Sequence, residues 1–206
     1  MLDGIMRRAL DPGLNKTGKV LARRGVHANH VTLVGFSLGL IAAGLIAWGA
    51  TGWIALVPLL ANRIADGLDG AIARASQITD FGGYLDIVCD FIFYGIIPLA
   101  FVLRDPDANG IAGAFVLASF YASGASFLTF AILAAKRGLQ SQTRGAKSLY
   151  YAAGLLEGSE TIGFFVLICA FPAAFAPLAW GFGALCFATA AVRIVLAWQV
   201  FGANDP

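Results

Sequence analysis

The chain has 206 residues, of which 59% are hydrophobic and 13% charged, and its mean hydropathy is +0.78. These values exclude an ordinary soluble domain and indicate a protein that crosses a membrane several times. The net charge of +2 says little about partners, and we expect no nucleic acid to bind.

Residues 1–24 form a basic segment that holds six of the fourteen Lys and Arg residues. Its apolar residues recur at helical spacing on one face, at Leu2, Ile5, Met6, Ala9 and Leu10. This pattern predicts an amphipathic helix on the bilayer surface, which Pro12-Gly13 would break. A disordered basic tail is the alternative. No apolar stretch ending in small residues is present, so no cleavable signal peptide is expected.

Six apolar segments follow, each close to the ~20 residues that a helix needs to cross a bilayer. We place them at 31–50, 52–75, 83–103, 111–135, 149–171 and 174–199. The predicted fold class is all-α, a polytopic membrane protein with six transmembrane helices and an N-terminal amphipathic interfacial helix. We expect one domain over 1–206, with a juxtamembrane segment at 1–24 and a six-helix bundle at 31–201. Small residues at Gly35, Gly39 and Ala43 predict a close helix–helix contact in the first span.

The distribution of charge predicts the orientation of these spans. Basic residues cluster on one side, in the N-terminal segment, at Arg74 and in the loop 136–148. The other side has one basic residue, Arg104, accompanied by Asp105 and Asp107. By the positive-inside rule, both termini and this loop face the cytoplasm.

Four carboxylates interrupt the second and third spans, at Asp66, Asp69, Asp86 and Asp90. Each would cost about 2.5–3.5 kcal/mol near the bilayer centre, so the four require roughly 10–14 kcal/mol of compensation. Each pair shares one face of its helix, at i, i+3 in the second span and i, i+4 in the third. A hairpin of the two helices could aim all four at one point.

Two kinds of partner could compensate these carboxylates. Arg63 and Arg74 are basic neighbours in the same span. A bound divalent cation could offset more of the charge, and donors that are all hard oxygens suit Mg²⁺, Mn²⁺ or Ca²⁺ rather than zinc.

The spacing of these acids resembles the signature of the CDP-alcohol phosphotransferase family. The matching residues read Asp66-x-x-Asp69-Gly70-x-x-Ala73-Arg74, then Gly82-x-x-x-Asp86-x-x-x-Asp90. Eight fixed positions would match at a given start by chance on the order of 10⁻¹⁰. Seven residues separate Arg74 from Gly82, where the family commonly has eight, which leaves Gly82 or Gly83 as the second glycine. The segment Asn29–Thr32 resembles the family's entry motif, although Ala28 stands where a proline is common.

The resemblance implies an enzyme that transfers a phosphatidyl group from a CDP-alcohol to an alcohol and releases CMP. It implies Mg²⁺ or Mn²⁺ as the cofactor, with Asp66, Asp69, Asp86 and Asp90 as ligands. Asp90 would also act as the general base. It further implies a homodimer in the membrane. The expected CDP-binding residues are Asp66, Asp69, Gly70, Ala73, Arg74, Gly82, Asn29 and Thr32.

The donor expected from this resemblance is CDP-diacylglycerol, whose acyl chains can stay in membrane lipid. The acceptor is a small polar alcohol, and the basic loop favours a phosphorylated polyol such as glycerol 3-phosphate. The same basic residues also satisfy the positive-inside rule, so they need not bind the acceptor. Glu157 and Glu160 of the fifth span could form structural ion pairs instead of lining a pocket. The candidate acceptor pocket comprises Arg137, Arg144, Lys147, Glu157, Glu160 and Arg193.

An ion- or proton-coupled transporter is the alternative function, because transporters also place carboxylates inside their spans. The sequence disfavours it. It shows no two-fold repeat, and its acids are placed at one depth instead of across the bilayer.

Overall fold

A computed structural model describes residues 3–138, 156 and 158–202 of the chain. Over these residues it contains α-helices and one short 3₁₀ helix at Pro172–Ala174, and no strand. The all-α prediction is therefore confirmed. The helices are α1 (Asp3–Arg23), α2 (Ala28–Ala47), α3 (Gly52–Ala75), α4 (Asp80–Arg104), α5 (Pro106–Lys136), α6 (Gly158–Ala170) and α7 (Phe175–Phe201).

Four of the described helical segments are long and apolar enough to cross a membrane. They are α2, α4, α5 and the segment Pro172–Phe201, which contains α7. Helix α3 has 24 residues, but it carries four charged residues, Arg63, Asp66, Asp69 and Arg74. Helix α6 has 13 described residues, and the first part of the span predicted at 149–171 lies outside the described residues. Six spans therefore stay a prediction.

The N-terminal helix is longer than the sequence pattern predicts. Helix α1 continues through Pro12 to Arg23, so the predicted break at Pro12-Gly13 is wrong. A proline removes one backbone hydrogen bond and bends a helix, but the second half of α1 is supported by its contact with α3. Met6 and Leu10 are 48% and 52% exposed, and a position of this face on the bilayer surface stays a prediction.

The helices divide into two packed groups. Helix α2 packs on both α3 and α4, while α5 pairs with α7, and α4 contacts α5 and so joins the groups. The predicted small-residue seam of α2 is confirmed, because a side chain at Gly35 would meet Ala65 of α3 and one at Gly39 would meet Phe93 of α4. These close contacts fix how α3 and α4 are rotated around α2.

The apolar core lies at the end of the bundle opposite the acidic signature. It is built from the second halves of α2 and α4, the first halves of α3, α5 and α7, and the second half of α6. Its aromatic rings include Phe101 stacked on Phe175, with centroids 4.9 Å apart. The signature acids therefore lie where the helices are less filled by apolar side chains.

Gly18 brings α1 so close to α3 that a side chain there does not fit. A Cβ at Gly18 would lie 2.7 Å from the Cβ of Ala71 and 2.9 Å from its carbonyl carbon. We expect Gly18→Ala to displace α1 and to lower the free energy of unfolding by about 1–3 kcal/mol, since backbone cannot yield as a side chain can.

Gly13→Ala is the matched control for that substitution, because nothing lies within 4 Å of a Cβ at Gly13. Alanine is favoured over glycine in a helix by about 1 kcal/mol, so this variant should be neutral or slightly more stable. Thermal unfolding of both variants in the same detergent provides the measurement. Equal Tm values for the two would contradict the close packing of α1 on α3.

Candidate active site

Three of the four signature acids converge in the structure. Asp66 of α3 and Asp86 and Asp90 of α4 each offer a carboxylate oxygen, and these oxygens lie within 4.8 Å of one another. Because α2 packs on both α3 and α4, it closes the back of the groove between them. The pocket is lined by Thr32, Gly35, Phe36, Asn62, Arg63, Asp66, Asp69, Asp86, Cys89 and Asp90.

The fourth acid, Asp69, lines the same pocket but has a different partner. Its Oδ2 accepts a hydrogen bond of 2.5 Å from the Thr32 hydroxyl. Both residues are buried, and Asp69 is only 4% exposed. The distance is that of a strong bond to a charged acceptor. Asp69 is therefore satisfied inside the protein, while the other three acids face one another.

Arg63 is the cation of this pocket, and sequence reasoning identified it only as a possible charge partner. Its Nη2 lies 2.9 Å from Asp90 Oδ1, and its Nη1 lies 3.7 Å from Asp66 Oδ2. Its Nε donates to the amide oxygen of Asn62 over 2.6 Å. The guanidinium also lies over the ring of Phe93, 4.3 Å from its centroid. The i, i+3 spacing of Arg63 and Asp66 was the available sequence signal.

The first turn of α4 distinguishes the two candidate glycines. A Cβ at Gly82 would lie 2.9 Å from Thr79 Oγ1 and 3.1 Å from Asn29 Oδ1, whereas nothing lies within 4 Å of one at Gly83. Thr79 caps the helix by accepting a hydrogen bond from the Gly82 N–H. A side chain at Gly82 would therefore crowd both the Thr79 cap and the Asn29 of the entry motif, and the identity of the second glycine stays a prediction.

Arg74 lies in the last turn of α3, beside α1. Its side chain is exposed, and Nη2 donates to Asn15 Oδ1 of α1 over 3.1 Å. Gly70 lies one turn before Arg74, and a Cβ there would be 3.2 Å from Arg74 Nη1. Ala73 is half-buried on the same helix. Helix α1 therefore contacts a residue expected to bind the nucleotide.

The candidate acceptor residues are only partly described. Arg144, Lys147 and Glu157 lie outside the described residues. Arg137 donates to the Phe201 carbonyl at the end of α7 over 3.0 Å. Glu160 lies in the first turn of α6.

Arg193 of α7 reaches across to α5. Its Nη1 donates to both the carbonyl and the hydroxyl of Ser123, each over 3.1 Å. The aspartate pocket as described includes neither Arg193 nor Arg137 nor Glu160 among its lining residues. The assignment of these residues to an acceptor pocket therefore stays a prediction.

Comparison with known proteins gives matches that extend far beyond the signature. The family model described as CDP-alcohol phosphatidyltransferase matches residues 25–201. The inner membrane protein YnjF of Escherichia coli is 46% identical over 196 residues, which is 94% of each chain. The archaetidylinositol phosphate synthase of Pyrococcus horikoshii is 35% identical over 91 residues, 44% of this chain and 47% of that protein.

Proposed function

The chain belongs to the CDP-alcohol phosphatidyltransferase family, and on this premise we propose that it makes a phospholipid. It transfers a phosphatidyl group from CDP-diacylglycerol to the hydroxyl of a small polar acceptor and releases CMP. The convergence of Asp66, Asp86 and Asp90 within 4.8 Å carries the proposal, because phosphoryl transfer depends on positioning and charge neutralisation. No observation on the described residues favours a transporter.

Enzymes of this family generally use a divalent metal ion, and the donor set of the pocket fits one. Asp66, Asp86 and Asp90 would hold the ion through carboxylate oxygens, with Asp69 as a further ligand. Hard oxygen donors suit Mg²⁺ or Mn²⁺. When bound, such an ion neutralises pyrophosphate charge and polarises the phosphorus under attack.

The remaining steps are assigned to side chains of the chain itself. Asp90 takes the proton of the acceptor hydroxyl, while Arg63 holds its Oδ1. Arg74 exchanges Asn15 for a phosphate oxygen, a partner that suits its planar fork of donors. Gly70, Ala73 and Gly82 lack bulk and let the nucleotide approach the helix backbone, next to the Asn29 amide. Bound substrates would fill the groove and keep water from competing with the acceptor.

A phosphorylated polyol is the proposed acceptor, with glycerol 3-phosphate the first to test. Arg193 reaches α5 in the described structure, and a phosphate is an alternative partner for such a guanidinium. The proposed pocket also includes Arg137 and Glu160, together with Arg144, Lys147 and Glu157. The Pyrococcus relative is named for a lipid that contains inositol and phosphate, which supports an acceptor of the same class.

The proposed setting is a bacterial inner membrane. The Escherichia coli relative is named an inner membrane protein, and the described helices include four that can span. We place both termini and the acid pocket on the cytoplasmic side, because Arg74 marks the basic end of α3. We also propose that residues 1–206 form a single domain and that two copies of the chain form a homodimer.

The test is CMP release by the purified protein with CDP-diacylglycerol, Mg²⁺ and a panel of acceptors. Glycerol 3-phosphate, inositol phosphate, inositol, serine and choline form the panel. We expect release to depend on one acceptor, to stop in EDTA and to return with Mg²⁺ or Mn²⁺. Absence of release with every acceptor contradicts the function, and full activity in EDTA contradicts the metal assignment.

A further inference from the structure

We propose that Arg63 is a positioning residue that holds Asp90 by one carboxylate oxygen and remains beside the divalent ion as a fixed positive charge. This inference rests on the proposed function, because it assigns to Arg63 a part in the same site. The signature does not include this residue.

The guanidinium of Arg63 is fixed in place on several sides. Nη2 donates to Asp90 Oδ1, Nε donates to Asn62 Oδ1, and the planar group lies over the Phe93 ring. A surface ion pair has freedom to exchange partners with water, but the Arg63 side chain is only 14% exposed. Arg63 therefore has one preferred position within the pocket.

Asn62 links Arg63 to the backbone of α2. Its amide nitrogen donates to the Gly35 carbonyl over 2.8 Å, and its amide oxygen accepts from Arg63. Asn62 is 3% exposed, so water does not replace either bond. The chain of bonds from Gly35 through Asn62 and Arg63 ends at Asp90, and it fixes the carboxylate that would take the proton.

The bond to Arg63 also gives the two carboxylate oxygens of Asp90 different partners. Oδ1 is held by Nη2, which leaves Oδ2 for the ion or for the proton of the acceptor. Without that bond, Asp90 could turn to offer both oxygens to the ion, and neither would then be free to take the proton. Arg63 thus keeps one acid of the cluster available for chemistry.

The fixed charge has a second consequence, which acts on metal affinity. Arginine stays protonated in proteins, so Arg63 contributes one positive charge beside Asp66 and Asp90. This charge reduces the repulsion among the carboxylates when no ion is bound, and it repels a divalent ion that enters. Loss of the charge should therefore tighten ion binding while it slows the reaction, which is the opposite of what loss of a ligand would do.

The experiment compares Arg63→Gln and Arg63→Lys with the unchanged protein in two assays. Mn²⁺ binding is titrated by electron paramagnetic resonance in detergent without substrate, and CMP release is measured separately. We expect Arg63→Gln to bind Mn²⁺ roughly tenfold tighter or more. Arg63→Lys keeps the charge and should bind Mn²⁺ as the unchanged protein does. Both variants should lose kcat by about 10–100-fold with KM for the donor unchanged, because neither side chain can join Asn62 to Asp90 as the guanidinium does.

Arg104→Gln is the matched control, since Arg104 bonds to the Ala50 carbonyl at the other end of α4. It lies about 21 Å along the helix from Asp90 at 1.5 Å per residue, and its loss should change neither assay. If Arg63→Gln does not fold, Asn62→Ala replaces it, and it should lower kcat without changing Mn²⁺ affinity.

Unchanged Mn²⁺ affinity in Arg63→Gln would overturn the proposal that the positive charge of Arg63 weakens ion binding. A kcat of Arg63→Lys equal to that of the unchanged protein would overturn the positioning role. The Mn²⁺ titration needs no turnover, so it tests the charge of Arg63 even if the unchanged protein releases no CMP. Absence of CMP release would count against the proposed function alone.

Discussion

Replacing Asp90 with asparagine is expected to slow CMP release by about 10²–10⁴-fold at every Mg²⁺ concentration, a loss typical of a missing general base. The amide oxygen of the new side chain can still accept the bond from Arg63 Nη2, so the arrangement of α3 and α4 should persist. An amide cannot take the proton of the acceptor hydroxyl, and added metal cannot replace that capacity. Binding of CDP-diacylglycerol should be retained, because Asp66 and Asp86 remain.

Asp80→Asn is the matched control for this experiment, because Asp80 lies exposed in the first turn of the same helix. It should leave CMP release unchanged. Rates are measured against Mg²⁺ concentration for both variants, with donor binding in parallel. Recovery of Asp90→Asn at high Mg²⁺ would make Asp90 an ordinary ligand, and Glu160 or Glu157 would then be the next candidates for the base.

The positions of the helices could be predicted because apolar runs mark them, and the second span begins at Gly52 as predicted, but two other starts were missed. The third span was predicted to begin at residue 83, whereas α4 begins at Asp80, where the Thr79 side chain caps it. The fourth was predicted from residue 111, whereas α5 begins at Pro106 behind the cap formed by Asp105. Hydropathy does not register a polar first turn, although capping residues do mark one.

The partners of the acids were harder to predict than their faces. Helical spacing gives the face on which Asp69 and Asp90 lie, but it does not give the rotation of one helix against another. That rotation is set by contacts such as Gly35 on Ala65. It brings Thr32 of α2 into hydrogen-bonding distance of Asp69, which lies 37 residues later in the chain. Thr32 was expected to contact the nucleotide, and in the structure its hydroxyl serves Asp69.

Asp86→Asn is expected to weaken binding of the divalent ion by about 100-fold or more, beyond the 10–100-fold typical for loss of a supporting group. Asp86 belongs to the three converging carboxylates, so its loss removes a charge that faces the ion directly. Raising Mg²⁺ should recover part of the lost rate, since the proton acceptor Asp90 is intact. This partial recovery distinguishes Asp86 from Asp90.

Asp69→Asn provides the comparison, because the Asp69 carboxylate is already engaged by the Thr32 hydroxyl. Its amide can keep that bond, and we expect half-maximal rate at a lower Mg²⁺ concentration than Asp86→Asn requires. The measurement is CMP release across a Mg²⁺ titration, repeated as Mn²⁺ binding without substrate. The opposite order would mean that Asp69 leaves Thr32 when the ion enters, and that the ion lies deeper toward α2 than the three converging carboxylates indicate.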